Sequence, residues 1–270
     1  YKKSFIYYEV GTSRETLIKK LDTEVSIIPI LDINGKLKKI ASRNHYPIMQ
    51  EDQVYAQSRA PVRIAFGGGG SDVTHYFDKE NGAVINSAIS LYSHATLSKR
   101  DDKKVIINSG DLNQSLSGND LDDVLNKKGS FGLIQSIIKL INPQYGFELS
   151  LYSDFPMKSG LGGSATVVTA IIGCFNQFRN DPWSQYEMAE LAFQAERLDM
   201  GIAGGWQDQY VSVFGGFNFL EFKKDQNIVH PLKIHKDTLL QLEESLLLCD
   251  TGISHESGDI HMDQKSMMQD

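Results

Sequence analysis

One short stretch limits the possible folds of this chain more than any other: Lys158-Ser-Gly-Leu-Gly-Gly-Ser-Ala-Thr166. A strand-like run, Phe147 to Ser153, leads into it, and Val167, Val168, Ile171, Ile172 and Phe175 follow at helical spacing. A strand, a glycine turn and a helix start together form a backbone cradle, in which exposed N–H groups and the positive end of the helix dipole converge on an anion. The same pattern also serves as a plain structural turn. Which meaning applies here depends on what else the chain carries.

With 270 residues, 41% of them hydrophobic, the chain can build a sizeable core, as one large domain or two smaller ones. A formal net charge of −7 leaves no basic stripe, which argues against nucleic acid as a partner. The two cysteines, Cys174 and Cys249, exclude a disulfide scaffold and lack metal-ligand spacing. Cys174 falls among apolar helical residues and reads as a small core side chain. No apolar run reaches the length of a bilayer span and no signal peptide opens the chain, so the expectation is a soluble cytoplasmic α/β protein without a membrane partner. The missing initiating Met, and a polar tail after a strand-like Leu246-Leu-Leu-Cys-Asp250, point to a fragment of a longer protein.

Residues 1–56 read as a separate segment: a weak helix over Glu15 to Leu21, a strand Ser26 to Leu31, an Asp32-Ile-Asn-Gly35 turn and a returning strand Leu37 to Ala41. This hairpin resembles one half of a cystathionine-β-synthase-type (CBS) module, with a linker role as the simpler reading. From Arg59 on the pattern is mixed. Strands are expected at Val62–Phe66, Ala83–Ile89, Ser93–Ser98, Lys104–Asn108, Phe147–Ser153, Gly216–Phe222 and Glu244–Cys249. Helices are expected at Asp72–Lys79, Phe131–Ile141, Ala165–Phe178 and Ser184–Leu198, the last opened by a Ser184/Glu187 capping box. The polar stretch from Asn108 to Lys128 reads as a loop with one short helix.

Three segments carry chemistry. In Arg59-Ala-Pro-Val-Arg-Ile-Ala-Phe-Gly-Gly-Gly-Gly-Ser-Asp72, a strand runs into four glycines that let a backbone approach a ligand closely. Asp72 either caps the helix that follows or meets sugar hydroxyls. Arg63, inside an apolar strand, requires a carboxylate partner. In the glycine turn, the Ser164 hydroxyl either caps its helix or reaches a phosphate-bound Mg²⁺. In Ala195-Glu-Arg-Leu-Asp-Met-Gly-Ile-Ala-Gly-Gly-Trp-Gln-Asp-Gln-Tyr210, Glu196 lies at the edge of an apolar helix face, where it invites a cation. Asp208 follows a tight turn near a helix start, where it either caps or pairs, or accepts a hydrogen bond from a substrate hydroxyl. Lys158 and Arg197 read as surface charges, with a phosphate contact as the alternative.

In this order, over roughly residues 59–255, the three segments resemble the GHMP family of small-molecule kinases (galactose, homoserine, mevalonate and phosphomevalonate kinases). Within that family they are most similar to the subgroup acting on D-glycero-D-manno-heptose 7-phosphate. The resemblance implies an α+β fold. Residues 57–235 would form the ATP-binding domain, a ribosomal-protein domain-2-like α/β sandwich, and residues 236–270 the start of a truncated ferredoxin-like C-terminal domain. It implies that Ser159, Gly160, Leu161, Gly162, Gly163, Ser164 and Ala165 wrap the phosphates of ATP. Ser164 and Glu196 would hold Mg²⁺, Asp208 would be the catalytic carboxylate with Arg63 beside it, and Gly69, Gly70, Ser71 and Asp72 would face a sugar or sugar-phosphate substrate. The chain departs from the family pattern with Arg63 in place of the commoner lysine, Gly163 where many members have a serine, and no C-terminal glycine-rich motif. The implied activity is phosphorylation of an anomeric hydroxyl to give a 1,7-bisphosphate. The alternatives are a kinase for another sugar (fucose-like) and a non-catalytic nucleotide-binding regulatory protein. A P-loop NTPase is disfavoured, because no lysine follows the glycine turn in the required place.

Overall fold

The computed structural model describes residues 7–9, 14–23, 26–42, 55–156, 159–247 and 249. The chain divides into two compact units, Tyr1–Gln53 and Val54–Asp270. In the first, β1 (Tyr8–Glu9), α1 (Arg14–Thr23), β2 (Ile27–Leu31) and β3 (Leu37–Ser42) follow one another. The strands form a sheet in the order β1-β2-β3, with β2 and β3 as the antiparallel hairpin expected around Asn34-Gly35. Leu17 and Leu21 of α1 close over Ile28, Ile30 and Ala41 to make a small core of their own.

The second unit continues with β4 (Tyr55–Gly67), α2 (Thr74–Glu80), β5 (Gly82–Lys99), β6 (Val105–Ser109), β7 (Gln114–Gly118), α3 (Leu121–Leu125) and α4 (Gly132–Ile141). Then come β8 (Phe147–Ser153), α5 (Gly163–Asn176), α6 (Gln185–Phe193), a π-helical stretch Gln194–Asp199, α7 (Gln207–Phe214), β9 (Phe217–Phe222), β10 (Asn227–Pro231) and α8 (Lys236–Ser245). The sheet runs β10-β9-β5-β8-β6-β7, with β4 along the other side of β5. Among the described residues of this sheet only the β6–β8 pairing is parallel.

β5 is the spine of this sheet. Its first residues, Gly82–Ser87, pair with β9, and Ser93–Lys99 pair with β8. The two strands expected at Ala83–Ile89 and Ser93–Ser98 are therefore one. The alternation of buried and open residues changes phase near Ile89, where β5 passes from one partner to the other, and that shift reads in sequence as a break. Alternation elsewhere is regular, as in β8, where Phe147, Leu149 and Leu151 all point inward. These residues meet Ile134, Ile137 and Ile138 of α4 and Val168, Ile171, Ile172 and Phe175 of α5 in the main core. Phe147 and Phe175 pack edge to face at 5.1 Å.

The capping box at α6 forms in both directions: Glu187 N donates to Ser184 Oγ at 3.3 Å and Ser184 N to Glu187 Oε2 at 2.7 Å. Other expectations need correction. Residues 244–245 complete α8 rather than opening a strand, Leu246 and Leu247 have no regular structure, and residues 250–270 lie outside the described set. The edge strands β7 and β10 went unread because Gln114-Ser-Leu-Ser-Gly118 and Asn227-Ile-Val-His-Pro231 carry few strand-forming side chains. Among the described residues no helix is long and apolar enough to cross a membrane.

Cys174 sits in the main core with its Sγ 3.2 Å from Ala95 O, and burial pushes its thiol up to about 12. Cys249 is exposed. At pH 8.5, iodoacetamide is therefore expected to label Cys249 promptly and Cys174 only after denaturant unfolds the sheet, a difference readable by intact-mass spectrometry. Prompt labelling of both thiols would refute the core assignment.

Candidate active site

The glycine turn forms between β8 and α5, with Gly160 and Gly162 at positive φ (75° and 79°). Gly162 is the N-cap of α5 and contributes no side chain to it, so the first N–H groups of the helix have no local side-chain acceptor. Ser159 and Gly160 are exposed, and Leu161 to Ser164 are half-buried. Met157 and Lys158 lie outside the described residues.

Three distant segments close around this turn. From β4, the Arg63 guanidinium donates through Nε to Asp208 Oδ1 at 2.6 Å and reaches Gly160 O at 3.5 Å through Nη1. This is the carboxylate partner that a charge inside an apolar strand requires. From α7, Asp208 stands in the first helical turn, so close to the glycine turn that a Cβ on Gly162 would lie 3.0 Å from its Cγ. From the π-helical stretch, Glu196 is 1% exposed and its Oε1 accepts a hydrogen bond from Ser164 Oγ. Glu196 Oε2 takes Gln209 Nε2 at 2.5 Å. Burial raises the Glu196 pKa, opposed by the neighbouring Arg197 charge and the Ser164 hydrogen bond. Ser164, Glu196 and Asp208 thus gather at the mouth of one bend.

The four-glycine loop is arranged differently from the sequence reading. α2 starts at Thr74 with Val73 as its cap residue, and Asp72 does not cap it. Instead the buried Asp72 carboxylate accepts Gln207 N at 3.1 Å through Oδ2, and Gly70 N at 3.0 Å and Gln207 Nε2 at 3.3 Å through Oδ1. It caps α7, the helix of Asp208, from across the fold. Gly205 makes this possible, since a Cβ there would sit 1.9 Å from Asp72 Oδ2. Ser71 Oγ is likewise engaged internally, with Gly68 O at 2.7 Å and Ala83 N at 3.0 Å. Gly67, Gly68 and Gly69 keep exposed backbone at the loop tip, next to half-buried Gly70.

Arg197 is no surface charge: its side chain is 7% exposed and lies 3.3 Å from Glu196 Oε1. Its contact with Glu196 is not legible in the sequence, and neither are the roles of Gln207 and Gln209. The available signal was the Gln-Asp-Gln triplet, three consecutive polar residues opening a helix that is otherwise largely apolar. Chemically the site offers a hydroxyl and a carboxylate in contact, a second carboxylate aligned by a guanidinium, and a glycine backbone beside them.

Comparison with known proteins gives the following. Residues 132–216 match the model of the GHMP kinases N terminal domain. The chain is 41% identical over 220 residues to a D-glycero-alpha-D-manno-heptose 7-phosphate kinase of Campylobacter jejuni, covering 79% of this chain and 65% of that one. It superposes on the crystal structure of a D-glycero-D-manno-heptose 1-phosphate kinase from Bacteroides thetaiotaomicron with a TM-score of 0.63 at 35% identity, over 69% of this chain and 63% of the other. A mevalonate kinase from Methanococcus jannaschii, 23% identical over 67% of this chain and 56% of that one, shares the fold with a TM-score of 0.53. The chain spans less than two thirds of the length of each of these proteins.

Replacing Gly162 by Ala would place a side chain in the left-handed region and against Asp208. The expected cost is about 1–3 kcal/mol, measured as a lowered midpoint in urea denaturation. An unchanged midpoint would mean that the turn relaxes freely and does not fix Asp208.

Proposed function

We propose, from the match of residues 132–216 to the GHMP kinases N terminal domain, that the chain belongs to an ATP-dependent sugar-phosphate kinase acting on the anomeric hydroxyl of D-glycero-D-manno-heptose 7-phosphate, yielding ADP and the 1,7-bisphosphate. The observation that carries the reading is the position of Asp208, held by Arg63 at 2.6 Å and lying against Gly162 of the anion-cradling turn. A carboxylate fixed there can orient an incoming hydroxyl next to a bound triphosphate.

Phosphoryl transfer asks a protein for alignment and charge compensation more than for covalent chemistry. Ser159 to Ala165 would wrap the phosphates with backbone N–H groups and the α5 dipole. Asp208 would accept the hydrogen bond, or the proton, of the attacking hydroxyl, and Arg63 would keep its carboxylate aimed while adding positive charge near the transferring group. The backbone of the glycine loop at exposed Gly69 and half-buried Gly70 would meet the sugar. Ser71 and Asp72 would shape that loop from within, as their engaged polar atoms indicate.

Magnesium fits the donor set. Ser164 Oγ and Glu196 Oε1 already touch, and both are oxygen donors of the kind a hard cation takes. The charges point the same way: Arg63 and Arg197 balance Glu196 and Asp208, which leaves the charge of a polyphosphate uncompensated. When bound, the ion would supply that compensation from its place on Ser164 and Glu196.

The two heptose kinases named above differ in the stated position of the substrate's phosphate, so the test offers both. The full-length protein is incubated with ATP, Mg²⁺ and a panel of heptose 7-phosphate, heptose 1-phosphate, free heptose and fucose, and ADP release is followed. The 7-phosphate should give the highest kcat/KM. Asp208→Asn should cost at least ~10²-fold in turnover while leaving nucleotide affinity nearly intact. Wild-type-like turnover in that variant would remove Asp208 from the mechanism.

A further inference from the structure

Arg197 takes no direct part in the transfer just described, yet its surroundings are those of a built position. Glu196 and Arg197 are consecutive, and both are buried, at 1% and 7% side-chain exposure. In an α-helix neighbours diverge by about 100°, so the two side chains of such a pair leave the axis in different directions. Here the backbone widens to a π-turn over Gln194–Asp199, with Met200 N bonded to Ala195 O at 3.3 Å. Single π-turns of this kind occur frequently at functional sites.

The guanidinium then reaches five oxygens on two sides. On one side Nη1 lies 3.3 Å from Glu196 Oε1, and Nη2 lies 3.9 Å from Asp208 Oδ2. On the other, Nε donates to Gly205 O at 3.4 Å, and Nη1 to Ala203 O at 3.3 Å and Ile202 O at 3.5 Å. The turn that precedes α7 is moulded onto this fork. A Cβ on Gly204 would fall 2.4 Å from Arg197 Cζ and 2.6 and 2.7 Å from its two terminal nitrogens. Such a contact demands that the guanidinium or the turn give way.

We propose that Arg197 is a positioning residue, its planar fork fixing the 201–205 turn and thereby the separation of Glu196 from Asp208. Charge alone does not achieve this. A lysine ammonium is a compact point charge without the forked donors needed to bind three carbonyls of one turn and face two carboxylates at once. The proposal rests on the phosphoryl-transfer reading for its consequence in turnover, while its structural content stands apart from that reading.

The test compares Arg197→Lys, Gly204→Ala and the double variant in the full-length protein. Three quantities are read: kcat with the best sugar of the panel, the Kd of the non-hydrolysable analogue AMP-PNP with Mg²⁺, and amide hydrogen exchange across residues 201–207. Both single variants are expected to lose at least ~10-fold in kcat, since small misplacements of reacting groups cost that much or more. The analogue's Kd should stay within about three-fold, exchange at 201–207 should quicken, and the double variant should be no slower than Arg197→Lys alone, as for two residues acting through one contact. Full turnover in Arg197→Lys would show that charge suffices, and losses that multiply in the double variant would show that Gly204 acts elsewhere; either result overturns the proposal. If Arg197→Lys fails to fold, Gly204→Ala, which retains every charge, decides alone. If the wild type transfers phosphate to no acceptor, the kinase reading fails, and unchanged exchange at 201–207 in the variants would still overturn the positioning role.

Discussion

Four charged side chains, Arg63, Glu196, Arg197 and Asp208, form the constraint on which the rest of the second unit depends. Removing an ion from water costs several kcal/mol unless a partner and hydrogen bonds meet it. None of the four can be placed alone. Arg63 and Asp208 stand 145 positions apart in the chain, so a strand near one end of the unit and a helix near the other must arrive in register. Glu196 is the most exacting member, satisfied by a hydroxyl, a carboxamide and a guanidinium together. Burial raises its pKa, against the pull of the Arg197 charge and the Ser164 hydrogen bond.

The remainder of the site serves that arrangement. Asp72 caps α7 at a distance, so the four-glycine loop and the helix of Asp208 form one object. Trp206 reinforces the joint, its indole stacked on Phe193 at 3.5 Å and hydrogen-bonded to Thr74 Oγ1 at 3.0 Å. Ser212 Oγ, further along α7, binds Pro61 O of β4 at 3.2 Å and fixes the helix against the strand that bears Arg63. Precision of this kind suits chemistry that depends on alignment.

The sequence made the local elements legible wherever local physics decides them. The capping box of α6, the Asn-Gly hairpin of the first unit, the core face of β8 and the strand–turn–helix passage into α5 all follow from short-range patterns. The need of Arg63 for a carboxylate was legible from its place in an apolar strand, and the grouping of residues 164, 196 and 208 from the family resemblance that the three motifs carry. What escaped depends on partners far along the chain. Asp72 looks like the cap of the helix that follows it, and nothing nearby in the chain reveals that its acceptors serve α7. Arg197 reads as a surface charge from its residue type, and its burial beside Glu196, in a π-helical stretch, depends on the turn at 202–205 that receives it. β5 appears as two strands because its partners change halfway along.

That change of partners bears on how the unit assembles. β4 and β5 are neighbours along the chain with one short helix between them, so their antiparallel pairing closes a small loop and forms at low entropic cost. β8 and β9 are synthesised much later and dock on opposite halves of the same ribbon. The early hairpin therefore acts as a template with two vacant landing strips, and the slow steps of folding are the returns of distant chain to each of them.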